Sequence, residues 1–162
     1  MKHIVDILIF GLQVILAIVT AVFIYMIFAL LDYDGGFDSF IGFTIFQPII
    51  GLVVSSIIVF LCLVIGLPIR LIRKLNQWWT KNFYLAYLLT LIGLLLLFIA
   101  TLPQFLELKT VMFEGEERIK MIPHFGFALS GWFLICFSIL HSYPSNILRM
   151  KTQETISQLI GN

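Results

Sequence analysis

The sequence predicts an all-α integral membrane protein, a bundle of four transmembrane helices. Of the 162 residues, 60% are hydrophobic and only 12% are charged, which is about half the charged share of a soluble domain. The apolar residues form four long stretches, each able to cross ~30 Å of hydrocarbon at ~1.5 Å per residue. The length suits a single membrane domain covering residues 1–162.

Hydropathy and the prolines set the limits of the four predicted spans, at about 7–31, 49–67, 83–102 and 125–140. All five prolines fall outside these ranges, where a residue with no N–H and a fixed φ is tolerated. Continuous helices are therefore expected. The apolar run after Lys2 and His3 is too long for a signal peptide, so the first stretch is predicted to be a retained span.

The distribution of positive charge predicts the orientation. Seven of the ten Lys and Arg residues lie at the termini or between the second and third spans, and three lie in the opposite loops. Positively charged loops stay on the cytoplasmic side, so both termini and the tail at 145–162 are predicted to be cytoplasmic. A bacterial inner (plasma) membrane is the expected location, because the spans are continuous and carry no charge near the midplane.

Residues 69–81 predict an amphipathic helix that lies in the cytoplasmic headgroup layer. At about 100° per residue its apolar and cationic side chains take opposite faces, which suits contact with anionic headgroups. The predicted anchors of this interfacial helix are Arg70, Arg73, Lys74, Trp78, Trp79 and Lys81.

The two outer loops, at 32–47 and 104–122, are predicted to give the outer face a negative charge. Their acidic residues are Asp32, Asp34, Asp38, Glu114, Glu116 and Glu117. Such a surface favours a basic ligand or partner, although correct membrane topology explains the same charges. In the second loop, partly alternating arms around Gly115 predict a short β-hairpin whose turn needs a positive φ.

Small residues four apart predict where the helices approach one another. This spacing lets two backbones come close, and it usually serves the internal bundle. The predicted packing residues are Ala17, Ala21, Gly51, Ser55, Gly126 and Ser130. The third span has few small residues and is expected to face lipid most.

No pattern in the sequence predicts catalysis, a metal site or nucleic-acid binding. His3 and His141 share the cytoplasmic edge and are the candidate haem ligands, but ordinary interfacial histidines are the preferred interpretation. Cys62 and Cys136 are each isolated, which predicts two small core side chains and no redox pair. We therefore expect no cofactor. Tyr25 and Trp132 carry polar atoms into the membrane and are expected to find partners there.

These observations favour a non-enzymatic polytopic membrane protein that acts through a protein partner in the membrane. An accessory, assembly or immunity-type role would fit the missing chemistry and the structured loops. In topology alone, without a shared motif, the layout is similar to that of membrane-bound bacteriocin immunity proteins, among many others. Two alternatives stay open at this point: a self-assembling pore or small-solute transporter, and a membrane haem or redox protein.

Overall fold

The computed structural model describes residues 2–33, 40–113 and 116–142, together with positions 150, 154, 155 and 158. Most of this chain is helical, with one pair of strands. The α-helices are α1 (Lys2–Leu31), α2 (Gln47–Leu71), α3 (Arg73–Lys81), α4 (Tyr84–Ala100) and α5 (Phe125–His141). A π-helical turn, Gly42–Phe46, leads into α2, and a 3₁₀ turn, Pro103–Phe105, follows α4. The strands are β1 (Glu107–Phe113) and β2 (Glu116–Ile122).

Two helices are long and apolar enough to cross a membrane, over Ile4–Leu31 and Gly42–Leu71. Helices α3 and α4 together make a third candidate span, although they meet at an angle of 74°. Helix α5 is apolar but has only 17 residues, or about 25 Å of helix. The prediction of a mainly helical protein is therefore confirmed, and the described residues contain two to three helices that could span a membrane, compared with the four spans predicted.

The second apolar helix begins earlier than the predicted span at 49–67. Residues 40–46, which fall in the predicted outer loop, are already helical. The π turn explains how a helix passes Pro48, because the N–H of Gln47 bonds back to the Gly42 carbonyl across a widened turn. A widened turn makes room for the proline ring and does not need its missing N–H.

The predicted interfacial helix at 69–81 is divided between two elements. Helix α2 continues through Pro68 to Leu71, and α3 begins at Arg73 after the extended residue Ile72. Pro68 is accommodated three residues before the end of α2, and the Ile72 N–H bonds its carbonyl at 2.9 Å. As a result Arg70 belongs to α2, whereas the other predicted anchors belong to α3.

Helix α5 lies at the centre of the fold and contacts α1, α2 and α4. The buried core joins α1, α2 and α5, and its members are Ala17, Ala21, Ile58, Val59, Cys62, Cys136 and Leu140. Both cysteines are free and fully buried, as side chains of the apolar core would be. The last of the four apolar helices along the chain therefore supplies the surface on which the other three pack.

Helix α4 packs on α5 through small residues. Ala86, Gly93 and Ala100 are the buried residues of α4, and they follow one another at intervals of seven. A Cβ at Gly93 would lie 2.8 Å from the Gly131 carbonyl, and one at Gly131 would lie 2.6 Å from the Gly93 carbonyl. These two backbones meet only because neither position carries a side chain.

A pair of hydroxyl groups also joins α4 and α5, one turn from Gly93 on α4 and two turns from Gly131 on α5. Thr90 Oγ1 and Ser138 Oγ are 2.6 Å apart, and Ser138 also donates to the Ala86 carbonyl at 2.5 Å. Inside an apolar environment these bonds satisfy both hydroxyls without water.

The strands β1 and β2 pair antiparallel between α4 and α5, with Glu107 opposite Ile122 and Phe113 opposite Glu116. The residues between them, including Gly115, lie outside the described part of the chain. The His124 N–H bonds the Ala100 carbonyl at 3.0 Å, which ties the base of this ribbon to the end of α4.

The contact between Gly93 and Gly131 predicts that Gly131→Ala destabilises the protein. Overpacking a close backbone contact costs about 1–3 kcal/mol, so the midpoint of thermal unfolding in mild detergent should fall. Gly11→Ala is the matched control, since a Cβ there would have no neighbour within 4 Å and alanine favours a helix by about 0.5–1 kcal/mol. Equal midpoints for the two variants would contradict the close contact.

Candidate functional site

Side chains from other helices donate hydrogen bonds to the carbonyls at the C-terminal end of α5. A helix leaves its last four carbonyls without partners, and here four successive carbonyls each accept a side-chain hydrogen bond. The donors are Ser142 Oγ to Ile139 O (2.9 Å), Arg70 Nη2 to Leu140 O (2.5 Å), Trp79 Nε1 to His141 O (2.7 Å) and Gln13 Nε2 to Ser142 O. We call this set of contacts the carbonyl cap.

Helices α1, α2 and α3 each contribute one donor to the carbonyl cap, and Ser142 is local. Arg70 stands in the last turn of α2, and its guanidinium lies 4.4 Å from the centroid of the Phe10 ring. A cation near the C-termini of two helices is favoured by both helix dipoles, and the ring adds a cation–π contact. The cap therefore gives a charged side chain favourable partners beside an apolar core.

His141 is fully buried beside the carbonyl cap. Its Nε2 lies 3.3 Å from the Cys62 carbonyl, and its ring lies 4.5 Å from that of Phe137. Gly66 leaves the space for the ring, since a Cβ at that position would overlap the imidazole. The side chain of His3, the other predicted haem candidate, lies outside the described residues.

The predicted membrane anchors separate into two groups. Trp79 is 8% exposed, and its ring meets Phe137 edge-on at 6.2 Å, whereas the neighbouring Trp78 is 53% exposed. Arg70 is likewise half-buried in the carbonyl cap. The anchors that are exposed, and can contact headgroups, are Arg73, Lys74, Trp78 and Lys81.

The predicted acidic surface is described only in part. The carboxylate of Asp32 pairs with Lys120 at 2.9 Å, so β2 is attached to the end of α1, and Glu117 is exposed. The side chain of Glu116 and all of Asp34, Asp38 and Glu114 lie outside the described residues.

The predicted packing residues also divide by position. Ala17, Ala21, Gly51 and Ser55 are buried, and a Cβ at Gly51 would lie 2.6 Å from the Tyr25 ring. Gly126 and Ser130, in contrast, are exposed on α5. The α5 residue that meets a neighbouring helix most closely is Gly131.

The opposite end of the bundle, which carries the strands and is called the strand end below, contains a cavity of about 610 Å³. This volume is within the ~300–1,000 Å³ typical of ligand sites. The walls come from α1, the start of α2, the ribbon and the start of α5. The lining residues are Tyr25, Phe28, Ala29, Asp32, Gln47, Lys109, Thr110, Ile122, Pro123, Phe125, Ala128, Leu129 and Trp132.

Two of the residues that line this cavity are aromatic and carry polar atoms. Tyr25 donates to Gln47 Oε1 at 2.6 Å, so the expected partner in the bundle exists. The Trp132 ring lies 6.1 Å from that of Tyr25, but its Nε1 is buried with no hydrogen-bond partner in the described chain. The partner expected for Trp132 was therefore not found, and this buried donor stays unsatisfied beside the cavity.

The ribbon itself has an exposed apolar face. Leu108 is opposite Met121 and Thr110 is opposite Ile119, so these four side chains project to one side. The exposed fractions of Leu108, Ile119 and Met121 are 70%, 74% and 65%. A set of large apolar side chains exposed together in this way marks an interaction surface more often than a solvated one.

Comparisons with known proteins identify no relative of the chain. No family model, no curated protein and no solved structure matches it. Within residues 2–33, 40–113 and 116–142, no three His, Cys, Asp or Glu side chains are grouped so that they could hold a metal ion. The function must therefore be inferred from the carbonyl cap, the cavity and the ribbon.

The carbonyl cap predicts different effects for the same substitution at two adjacent residues. Trp79→Phe leaves the buried His141 carbonyl without a donor, which should cost about 1–3 kcal/mol and lower the unfolding midpoint in detergent. Trp78→Phe changes an exposed ring and should alter stability by less than about 0.5 kcal/mol. If Trp78→Phe were the more destabilising variant, the assignment of Trp79 to the cap would be wrong.

Proposed function

We propose that this chain is a four-span membrane protein that acts through a protein partner, which it contacts with the apolar face of the β1–β2 ribbon. The role is accessory, assembly-related or immunity-type, and it requires no chemistry of its own. Both termini are cytoplasmic, the strand end faces outward, and a bacterial inner membrane is the location. The observation that carries the proposal is the exposure of Leu108, Ile119 and Met121 on the ribbon.

The ribbon is suited to a partner for a second reason. A two-stranded sheet has two open edges, and such a pair is only marginally stable without a further surface to pack against. Here the described attachments are at its base, where Lys120 pairs with Asp32 and His124 bonds the end of α4. A protein that covers the apolar face, or adds a strand, would complete the sheet.

Charge supports the placement of this ribbon outside the membrane core. Lys109, Lys120 and Glu117 lie on the same strands as the apolar face, and charged side chains avoid the hydrocarbon region. The exposed cations of α3 suit the headgroup layer at the other end of the bundle. Helix α4 then crosses as the third span, and α5 crosses as a short fourth span.

Labelling of introduced cysteines tests the proposed orientation. Gln104→Cys, in the turn that follows α4 at the strand end, should react with a membrane-impermeant maleimide in intact cells, whereas Thr80→Cys on α3 should react only after permeabilisation. The native cysteines are fully buried, so the unmodified chain is the unlabelled control. Labelling of Thr80→Cys in intact cells, without labelling of Gln104→Cys, would reverse the orientation.

Photocrosslinking in native membranes tests the partner. A photoreactive amino acid at Ile119 should give one discrete protein adduct, and Leu108→Asp or Met121→Asp should weaken that adduct because a carboxylate disrupts an apolar contact. The matched control is the same probe at Tyr87, a residue of α4 that is 69% exposed and expected to face lipid.

The identity of the adduct decides between interpretations. A heterologous protein adduct at Ile119 that is sensitive to Leu108→Asp supports the proposal. An adduct to a second copy of this chain would favour the self-assembling alternative, and labelling of phospholipid alone would show that the ribbon lies on the bilayer surface.

A further inference from the structure

The cavity at the strand end is lined both by charged residues and by aromatic residues farther along the helices. Asp32 and Lys109 belong to the first set, and Tyr25 and Trp132 belong to the second. Tyr25 lies seven residues before Asp32 on α1, and Trp132 lies seven residues after Phe125 on α5. Each interval corresponds to about 10 Å along a helix. The cavity therefore extends some distance into the bundle below a charged rim.

The walls between rim and base are largely apolar, although Gln47 and Thr110 also line the cavity. Phe28 and Ala29 come from α1, while Ala128 and Leu129 come from α5. The Tyr25 hydroxyl already donates a hydrogen bond to Gln47, so it does not need a polar group of the ligand as a partner. Such a surface suits a hydrocarbon chain.

Lys109 provides a cation at the rim. Lys120 is paired with the Asp32 carboxylate and also donates to the Asp32 carbonyl at 2.5 Å. Lys109, opposite Lys120 in the strand register, lines the cavity and makes no ion pair or side-chain hydrogen bond within the described chain. Its ammonium group is therefore available to an anionic ligand.

We propose that this cavity binds an anionic single-chain amphiphile from the leaflet at the strand end, with its hydrocarbon chain between α1 and α5 and its head group beside Lys109. Fatty acids and lysophospholipids share this chemistry. The large apolar side chains of the ribbon face, Leu108, Ile119 and Met121, do not line the cavity, although the neighbouring Thr110 does. The proposal therefore does not depend on the protein partner.

The first experiment measures binding of radiolabelled palmitate to the purified full chain in nanodiscs of zwitterionic lipid. The expected result is saturable binding of one molecule per chain. Ala128→Phe places a ring inside the cavity and should weaken binding by more than about tenfold. The matched control is Ser130→Phe, which adds the same ring on the exposed face of α5 and should leave binding unchanged.

A second variant that fills the cavity distinguishes loss of binding from loss of folding. Ala29→Phe fills the cavity from α1, so it should abolish binding as Ala128→Phe does, and each variant's unfolding midpoint shows that it is folded. Palmitate binding that persists in both folded variants at the affinity of the unmodified chain would overturn the proposal, because the ligand would then lie elsewhere.

The second experiment tests the charge at the rim. Lys109→Gln should weaken palmitate binding about two- to fivefold, which is the scale of an exposed ion pair, while Lys109→Arg should retain it. The uncharged analogue hexadecanol should bind the unmodified chain more weakly than palmitate does. On Lys109→Gln the two ligands should bind with equal affinity. Equal affinities for the acid and the alcohol in the unmodified chain would exclude recognition of an anion.

Competition identifies the source of the anionic head. Displacement of palmitate by lysophosphatidylglycerol at similar concentrations shows that a phosphate head is accepted, whereas displacement only by free fatty acids restricts the site to carboxylates. Inorganic phosphate should not compete, because it lacks the chain. Displacement by inorganic phosphate alone would contradict the amphiphile and indicate a simple anion site.

Discussion

The arrangement of this bundle depends on hydrogen bonds to the carbonyls that end α5. With 17 residues, or about 25 Å, this helix is shorter than an ordinary bilayer core is thick, so as a span it would need donors within the protein for its last carbonyls. Arg70, Trp79 and Gln13 satisfy them from three different helices. Each bond fixes the rotation of one helix about α5, and the apolar core of α1, α2 and α5 packs within the geometry that these bonds allow.

The two ends of the bundle consequently differ in character. At the capped end the carbonyls of α5 accept side-chain hydrogen bonds, and His141 occupies the space left by Gly66. At the strand end the helices line a cavity, and the Trp132 indole N–H has no hydrogen-bond partner in the described chain. Both features proposed to interact with other molecules lie at the strand end.

The sequence predicted the class of fold because apolar length is a local property, visible without tertiary structure. The helical ranges of α4 and α5 agree with the predicted spans to within two residues at each end. Hydropathy could not distinguish Trp78 from Trp79, because the two residues are chemically identical and only the position of α5 buries one of them. Arg70 was assigned to lipid because its contact with α5 also depends on tertiary structure, although the shortness of the fourth apolar stretch was a signal that its carbonyls would need donors.

Helix packing was predictable only in part. The small residues four apart in α1 and α2 are among the buried positions of those helices, but the α4 contact uses Ala86, Gly93 and Ala100 at intervals of seven. A search at that interval would have found them. The cavity left no sequence signal, because its walls come from four elements that are distant along the chain and meet only in the folded bundle.

The central position of α5 has a consequence for biosynthesis. Gln13, Arg70 and Trp79 all precede α5 along the chain, so they are synthesised before the carbonyls to which they donate. Without those carbonyls, burial of the Arg70 guanidinium in an apolar environment is costly. The carbonyl cap therefore forms only after α5 has been made, and a chain that stops before α5 leaves three polar side chains of the bundle without these acceptors.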